Sequence, residues 1–438
     1  MKPTAPVRQN GEPVEAAKPV SLAKSYYVLI LLTLVWSAAY IDRNIINVVL
    51  EPIKKEFGVS DTLMGFMVGF GFVLIYAILA MPVARLADRK GRLPIICIGV
   101  TFWSIMTSFG AAAQTVYQLL FTRIGVGVGE SAASAPGNSL ISDYFPKDKR
   151  PMAMAILSMS PFIGVYGGFM IGGIAATYWG WRSAFLVAGI PGIIVAILLR
   201  FTVKEPLRGA LDGKNADTRV YSLRETLRYF VSNKTYLLAV IGFSLTSFVD
   251  FGITAWFASF LMRVHHLTIL QASTVGGTIK SLAGVTGVLL GGFVVSYLGK
   301  KSDIYKILTP GITSLLAGPF LAVFYFAPMP LAWFGLVAGV ICTGFRMGPV
   351  LGLVQSVVKV RMRAFAAAVI FMIGNLFGYG LGPLFIGMSN DYLKPTYGPL
   401  AIRYSLISMP IMTMVGALFF LWAARYVKRD IQKCAIEE

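Results

Sequence analysis

Charged residues are scarce in this chain of 438 residues, where they make up only 13%. A soluble protein is about one quarter charged, so this chain has roughly half the charge that a water-facing surface needs. Hydrophobic residues make up 56%, and the mean hydropathy is +0.71. These figures exclude disordered, collagen-like and disulfide-scaffold proteins, and they indicate a membrane protein. At about 20 apolar residues for each crossing, the length allows about a dozen spans.

Cysteine is also scarce, and the three that occur are Cys97, Cys342 and Cys434. Their spacing is typical of neither a disulfide framework nor a metal site, so we interpret all three as structural or incidental. The sequence contains no Walker loop, which argues against ATP-driven pumping. We therefore expect neither a metal nor a cofactor.

Acidic residues are about half as common as basic ones: 20 Asp and Glu against 39 Lys and Arg give a formal net charge of +19. Such an excess suggests nucleic-acid binding, but membrane proteins also concentrate Lys and Arg in their cytoplasmic loops. We therefore expect the lipid bilayer, and no nucleic acid, as the partner. Residues 1–24 contain Pro, Ala and scattered Lys without an apolar core, which predicts a disordered cytoplasmic tail rather than a signal peptide.

Apolar stretches near or above the crossing length recur along the chain and are separated by short polar breaks. They predict an all-α membrane protein with twelve transmembrane helices, at 26–50, 63–84, 93–114, 117–143, 152–177, 181–203, 234–261, 268–297, 304–326, 329–357, 364–391 and 398–427.

One long polar break divides these helices into two sets of six. We predict a cytoplasmic linker at 204–233 between an N-terminal six-helix bundle at 25–203 and a C-terminal six-helix bundle at 234–427, with a cytoplasmic tail at 428–438. Clusters of Lys and Arg fall on the tails and on the even-numbered connections, whereas the odd-numbered connections carry few. This asymmetry predicts that both termini lie in the cytoplasm, in a protein of the inner cell membrane.

The two halves repeat each other in sequence. Residues 84–92, after the second span, match residues 292–300, after the eighth, with a small residue, a polar residue, a glycine and a base in register. Six-helix halves related as parallel repeats form a transporter architecture, with the site at their interface near the middle of the membrane. We therefore predict two pseudo-symmetric bundles.

Two motifs resemble signatures of the major facilitator superfamily. The first is a Gly-x-Leu-Ala-Asp-Arg-x-Gly-Arg-like loop, which Leu86 to Arg92 match and in which Ala84 replaces the family's first glycine. The second is an arginine followed by a glycine-rich run in the fourth helix, here Arg123, Gly125, Gly127 and Gly129. The resemblance covers the whole chain and implies the family's twelve-helix fold and secondary transport.

Within that superfamily the chain most resembles the bacterial members of the spinster group of lipid transporters. The motifs that carry this resemblance are Ile41-Asp42-Arg43, Gly127-Val-Gly129-Glu130, Gly180-Trp-Arg182, Lys204-Glu-Pro206, Asn375-Leu-Phe-Gly378, Gly382-Pro383 and Ser389-Asn-Asp391. The resemblance implies that Asp42 and Glu130 take part in proton coupling, and that the substrate is a lysophospholipid or a sphingoid phosphate. Some bacterial organic-anion carriers share parts of the pattern, so a carrier of a small polar organic anion, such as a sugar acid or an aromatic acid, is the alternative.

Ionisable side chains inside membrane spans are costly and usually functional, and four of them lie in the first and fourth spans: Asp42, Arg43, Arg123 and Glu130. Burial favours the neutral form of a carboxylate, whereas a nearby arginine favours its charged form. We predict a network in which Asp42 and Glu130 compete for Arg123 or Arg43, so that protonation of one acid releases a base to the other. The alternative is a static patch of ion pairs that holds the helices together.

The second half carries Asp250, Lys280 and Arg346 inside predicted spans. Asp250 is the repeat equivalent of Asp42, whereas Arg346 has no counterpart in the first half. A base that faces a central cavity would attract an anionic headgroup, and a guanidinium suits phosphate or carboxylate geometry. We therefore predict that these three residues line the substrate cavity. The alternative is a structural pair between Asp250 and one of the two bases.

Asp88 and Arg92 lie at the cytoplasmic ends of the second and third spans. An acid there can cap a neighbouring helix or pair with a base. The resemblance implies that this contact closes the cytoplasmic side when the other side is open, and we predict that Asp143 and Arg150 join the gate. Ser296 stands where the second half would repeat Asp88, so that contact should be weaker.

Together these features predict a proton-coupled secondary transporter that works as a monomer by alternating access. It would move protons together with an amphiphilic or lysolipid-like anionic substrate, with the proton gradient as the energy source. A rival from another class is an intramembrane enzyme that acts on lipid. No Ser/His, paired-histidine or metal constellation in the sequence supports that rival.

Overall fold

The structure is a computed structural model that describes residues 21–146, 148–206, 222–359 and 362–437. Most of the tail predicted at 1–24 and part of the linker predicted at 204–233 lie outside the described residues. Within the described ranges the chain is helical almost throughout and forms no β-strand, as an all-α membrane protein requires.

The described part of the first half forms nine α-helices: α1 (Leu22–Phe57), α2 (Asp61–Val68), α3 (Phe70–Lys90), α4 (Arg92–Phe109), α5 (Val116–Glu130), α6 (Ser134–Tyr144), α7 (Arg150–Leu157), α8 (Ser160–Trp179) and α9 (Trp181–Thr202). The remaining described residues form eleven more: α10 (Leu223–Ser232), α11 (Lys234–His265), α12 (Ile269–Gly299), α13 (Tyr305–Phe326), α14 (Met329–Gly344), α15 (Met347–Val357), α16 (Arg363–Asn375), α17 (Gly382–Tyr397), α18 (Ala401–Leu406), α19 (Ser408–Ala423) and α20 (Val427–Glu437).

Ten stretches of described helix are long and apolar enough to cross a membrane. One of them, Phe365–Ala423, has 59 residues, which is long enough for two crossings of about 20 residues each and the turn between them. The chain turns back within it at Gly398, whose φ is +54°, so this stretch supplies two crossings. Helices α5 and α6 supply another, although buried Arg123 and Glu130 make it more polar than its neighbours. The predicted twelve-helix fold is therefore confirmed.

Two crossings depart from regular α-helix where they touch each other. Helices α2 and α3 meet at Gly69, and a π-helical turn, Leu376–Leu381, separates α16 from α17. A Cβ atom at Gly69 would lie 2.2 Å from the carbonyl oxygen of Tyr379, which is inside that turn. The second and eleventh crossings thus meet backbone to backbone at a point that only glycine permits.

The two ends of the bundle are distinguished by their contacts. At one end, which we call the tail face, the start of α1 is tied to the end of α6, because Ser25 Oγ donates to the carbonyl oxygen of Tyr144 at 2.8 Å. The buried carboxylate of Asp430 on α20 accepts from the backbone N–H of Thr235 at 2.9 Å, so the predicted C-terminal tail folds back onto the start of α11. We call the other end, where α1 and α11 finish, the opposite face.

The two halves also pack against each other along α8 and α12. A Cβ atom at Gly276 would lie 2.8 Å from the ring of Phe169, and one at Gly284 would lie 3.1 Å from the ring of Phe162. Ser281 Oγ donates to the carbonyl oxygen of Phe162 at 3.2 Å. The small residues of α12 therefore bring the first half within van der Waals contact, as membrane helix packing favours.

Candidate functional site

A buried ion pair joins α1 to α5 at the centre of the first half. Arg123 Nη1 and Nη2 each donate to Asp42 Oδ1 at 3.3 Å, and Thr107 Oγ1 donates to the same oxygen at 2.9 Å. Asp42 is only 1% exposed and Arg123 only 3%. Because both partners are buried, the loss of either would leave an uncompensated charge inside the membrane.

A second ion pair lies beside the first and joins the next residue of α1 to the end of α5. Glu130 Oε2 accepts from Arg43 Nε at 2.7 Å and also from Nη2. Glu130 is 1% exposed, and its other oxygen, Oε1, has no hydrogen-bond partner among the described residues. A buried carboxylate oxygen without a donor destabilises the charged form, and binding of a proton removes that charge.

The Arg43 guanidinium also links Glu130 to the second half. Its central carbon lies between 4.9 and 5.5 Å from the centroids of four aromatic rings: Tyr40, Phe72, Tyr76 and Tyr379. Tyr379 belongs to the π-helical turn of the second half and stacks on Phe251, with ring centroids 3.6 Å apart. A change in the charge of Glu130 would therefore alter the interaction of Arg43 with Tyr379, which is a contact between the halves.

The glycines of α5 explain how the sequence assembles this cluster. A Cβ atom at Gly127 would lie 2.8 Å from the carbonyl oxygen of Phe72 on α3, and one at Gly129 would lie 2.7 Å from the backbone nitrogen of Trp103 on α4. Helices α3 and α4 thus press directly on α5. Because three helices meet this closely, Glu130 at the end of α5 is only 1% exposed.

All four residues predicted for proton coupling lie together, and each acid is paired with one base. Adjacent Asp42 and Arg43 point to different partners on α5. Their role in proton coupling stays a prediction.

The predicted substrate-cavity residues of the second half divide into a closed pair and a base without an ionic partner. Arg346, between α14 and α15, forms an ion pair with Asp250 on α11 and donates to the carbonyl oxygen of Thr343 at 2.9 Å. This is the structural pair that the sequence left open. Lys280 on α12 instead donates to the hydroxyl of Thr254, and within the described residues no carboxylate lies at ion-pair distance from its Nζ.

A central cavity lies beside the ion pairs of the first half, and Asp250, Lys280 and Arg346 are not among the residues that line it, contrary to the prediction. The first half contributes the charged side chains of Asp42, Arg43 and Arg123 together with Asn47, Phe72 and aliphatic side chains, and the second half contributes Phe251, Thr254, Ala255, Tyr379 and Pro383. Its walls therefore combine charged groups with aromatic rings.

The gate predicted at the tail face is centred on Arg92, which is 1% exposed. Arg92 forms an ion pair with Asp143, and its Nε lies 3.0 Å from Glu205 Oε1. Asp88 is exposed on the last turn of α3, and Arg150 donates to the carbonyl oxygen of Phe145 at 2.9 Å. The structure thus joins Arg92 directly to Asp143, and it places Asp88 at the surface in this state.

Glu205 was missed by the sequence analysis as a member of this cluster, although it belongs to the Lys204-Glu-Pro206 motif. Its carboxylate accepts from the backbone N–H groups of Arg92 at 2.9 Å and Leu93 at 3.3 Å, which caps the start of α4. Burial raises the pKa of this carboxyl, but the N–H and guanidinium groups of Arg92 outweigh burial and hold the pKa below its usual range.

A second charged cluster, at the opposite face, was also missed. Arg263, at the end of α11, donates from Nη1 to Asp61 Oδ2 at 2.5 Å and from Nε to Glu51 Oε1 at 2.8 Å. Asp391 on α17 accepts from the backbone N–H groups of Asp61 at 3.1 Å and Thr62 at 2.7 Å. We call Glu51, Asp61, Arg263 and Asp391 the opposite-face clamp, because they bind the two halves to each other.

Two signals in the sequence could have found the clamp. Arg263 is one of the few bases on the odd-numbered connections, where topology alone does not call for positive charge. Asp391 stands in a motif that was noted only for its resemblance. Neither signal reveals that the two residues meet the same helix end.

Known proteins are similar to this chain over nearly its whole length. Residues 32–383 match the family described as Major Facilitator Superfamily. An MFS-type efflux pump of Mycolicibacterium smegmatis (strain ATCC 700084 / mc(2)155) is 30% identical, over 91% of this chain and 92% of that protein. The sphingosine-1-phosphate transporter SPNS2 of Danio rerio is 25% identical, over 90% and 83% respectively. A crystal structure of a bacterial homologue of the human lysosomal transporter spinster, in an inward-facing and unoccupied conformation, is 29% identical and covers 94% of this chain and 99% of its own, with a TM-score of 0.86.

Proposed function

The chain belongs to the major facilitator superfamily and is a transporter rather than an enzyme, and from this we propose that it is a proton-coupled secondary transporter that works by alternating access. We further propose an anionic amphiphile of lysolipid type as the substrate. The protein would act as a monomer in the inner cell membrane, with both termini in the cytoplasm, so that the tail face is the cytoplasmic side.

The observation that carries proton coupling is the state of Glu130. Its carboxylate is buried, is bound by one base through one oxygen, and leaves the other oxygen without a donor. Both charge states are therefore tolerable: Arg43 stabilises the carboxylate, and the unpartnered oxygen favours the neutral acid. A group that is balanced between two charge states is what a proton-driven cycle requires.

Protonation would act on the contact between the halves. When Glu130 becomes neutral, Arg43 loses its ionic partner and keeps only hydrogen bonds to the neutral acid and contacts with the rings around it, one of which is Tyr379 of the second half. Asp42, at the adjacent position of α1, is a second acid that can attract the Arg43 guanidinium. The rearrangement would loosen or tighten the interface at the π-helical turn and so favour one state of the cycle.

The amphiphilic substrate is supported by the walls of the cavity. The cavity wall combines the charged Asp42, Arg43 and Arg123 with the stacked rings of Phe251 and Tyr379 and other apolar side chains, so it suits a ligand with a charged and an apolar part. The likeness to a sphingosine-1-phosphate transporter supports the same class.

Spin labels across each face, in purified protein at acid and neutral pH, test the coupling residues. We expect the wild-type distances to change with pH, and Glu130→Gln to keep at neutral pH the distances that the wild type adopts in acid. Asp42→Asn should also reduce the response. Glu56→Gln, in an exposed ion pair with Arg182 within the first half, is the control and should respond normally. An unchanged pH response in both buried variants would refute the proposed network.

A further inference from the structure

The central charges are balanced in the first half and unbalanced in the second. In the first half two acids meet two bases, each acid bound to one base. In the second half Asp250 neutralises Arg346, and Lys280 remains without an ionic partner among the described residues. We propose that Lys280, presented by Thr254, is the anchor for a substrate headgroup that carries one net negative charge.

The contacts of Lys280 support this assignment. Its ammonium has three N–H donors, and the one hydrogen bond that the structure gives it ends on the hydroxyl of Thr254. That hydroxyl is already oriented, because it donates to the carbonyl oxygen of Asp250 at 2.5 Å. Thr254 lines the central cavity, and the ring of Phe257 lies 5.9 Å from the Lys280 nitrogen. The ammonium is thus held beside the cavity by a neutral hydroxyl of the cavity wall, and among the described residues it has no second hydrogen-bond acceptor.

Arg346 is less suited to the same task, although its side chain is the better phosphate ligand in general. Its ion pair with Asp250 and its bond to the Thr343 carbonyl engage both terminal nitrogens and leave no net charge, so that only Nε is without a hydrogen-bond partner among the described residues. A headgroup would have to displace Asp250 before it could bind there. Lys280 needs no such displacement, so binding of a monoanion brings the central charge of the second half to zero.

This inference rests on the proposed function and refines its substrate. It assigns proton binding to the first half of the molecule and headgroup binding to the second half. An amphiphile with one negative charge should therefore bind more tightly than a zwitterion with the same tail.

Binding of defined probes to the full chain in detergent tests the proposal. We would compare lysophosphatidylglycerol, lysophosphatidylcholine with the same acyl chain, and glycerol phosphate without a tail. We expect the wild type to prefer lysophosphatidylglycerol over lysophosphatidylcholine, and Lys280→Met to weaken lysophosphatidylglycerol binding roughly tenfold or more, as loss of a charged hydrogen-bond donor implies. Lys280→Arg should keep most of the preference. Lys301→Met, at an exposed lysine of the tail face, is the matched control and should bind as the wild type does.

Further variants separate an anchor from a structural residue. Thr254→Val should weaken the preference without abolishing it, whereas Arg346→Ala should lower the melting temperature and leave the preference in place.

Equal affinity for both lysolipids in the wild type, or full preference in well-folded Lys280→Met, would overturn the assignment. Tight binding of glycerol phosphate would show a headgroup site for a small organic anion and overturn the amphiphile. The pH response of the spin labels should survive in Lys280→Met, so failure of proton coupling is recognised separately.

Discussion

Asp42 and Asp250 are equivalent by sequence, and each binds an arginine from the fourth helix of its own half. The arginines are not equivalent, because Arg346 has no counterpart in the first half. The repeat therefore predicts that the two acids occupy equivalent positions. Which base each acid binds depends on how side chains meet across a helix interface, and the sequence repeat carries no information on that.

Glu205 gives a prediction at the same scale. Its carboxylate caps α4 and binds the Arg92 guanidinium, and it is 26% exposed. We expect Glu205→Gln to lower the free energy of unfolding by about 1–2 kcal/mol, since a charged acceptor of several N–H groups is replaced by a neutral one. Melting temperature in detergent would measure the loss.

The pH dependence of this effect has a defined sign. Because the folded-state pKa of Glu205 lies below its usual range, its contribution is complete at neutral pH and is lost as the pH falls through that folded-state value. The difference between wild type and Glu205→Gln should therefore shrink in acid. Glu56→Gln, which removes an exposed ion pair with Arg182, should cost less at neutral pH. A constant difference at all pH values would contradict the capping role.

Helix ends and helix breaks are the elements that the sequence predicted least well. Helix α1 continues to Phe57 and α17 to Tyr397, each beyond the predicted span. The extra turns of α1 begin at Glu51, which binds Arg263 of the other half, and the extra turn of α17 directly follows Asp391, which binds the start of α2. The π-helical turn has no periodicity signal, because it arises from contact with Gly69 on another helix.

The opposite-face clamp gives a prediction at the scale of helices. Arg263 ties α11 to both α1 and α2, so Arg263→Ala should remove the ionic contact between the halves there and favour the state open at the opposite face. Asp391→Asn should have a smaller effect in the same direction, since the amide still accepts one of the N–H bonds of α2. Spin-label distances across that face would increase. Arg182→Ala, which breaks an ion pair at the same face within one half, is the control. Unchanged distances in Arg263→Ala would show that the clamp does not hold the halves together.

The fold of the whole molecule could be predicted because it is determined mainly by the length of the apolar stretches and by the alternation of basic clusters along the connections. Neither feature depends on how side chains pack. Twelve crossings, their grouping in two halves and the four ionisable residues of the first half all follow from linear patterns. The conformational state of the molecule does not follow from linear patterns. The clamp joins the halves at the opposite face through residues 330 positions apart, such as Asp61 and Asp391, and in the proposed cycle such contacts would change while the sequence stays the same.

We propose that Glu130 couples substrate movement to protons. This is tested by reconstituting the protein in liposomes that contain a pH-sensitive dye and adding lysophosphatidylglycerol outside. We expect proton movement that depends on the substrate in the wild type, and none in Glu130→Gln, which should still bind the lipid. Substrate-dependent proton movement of wild-type size in Glu130→Gln would contradict this proposal.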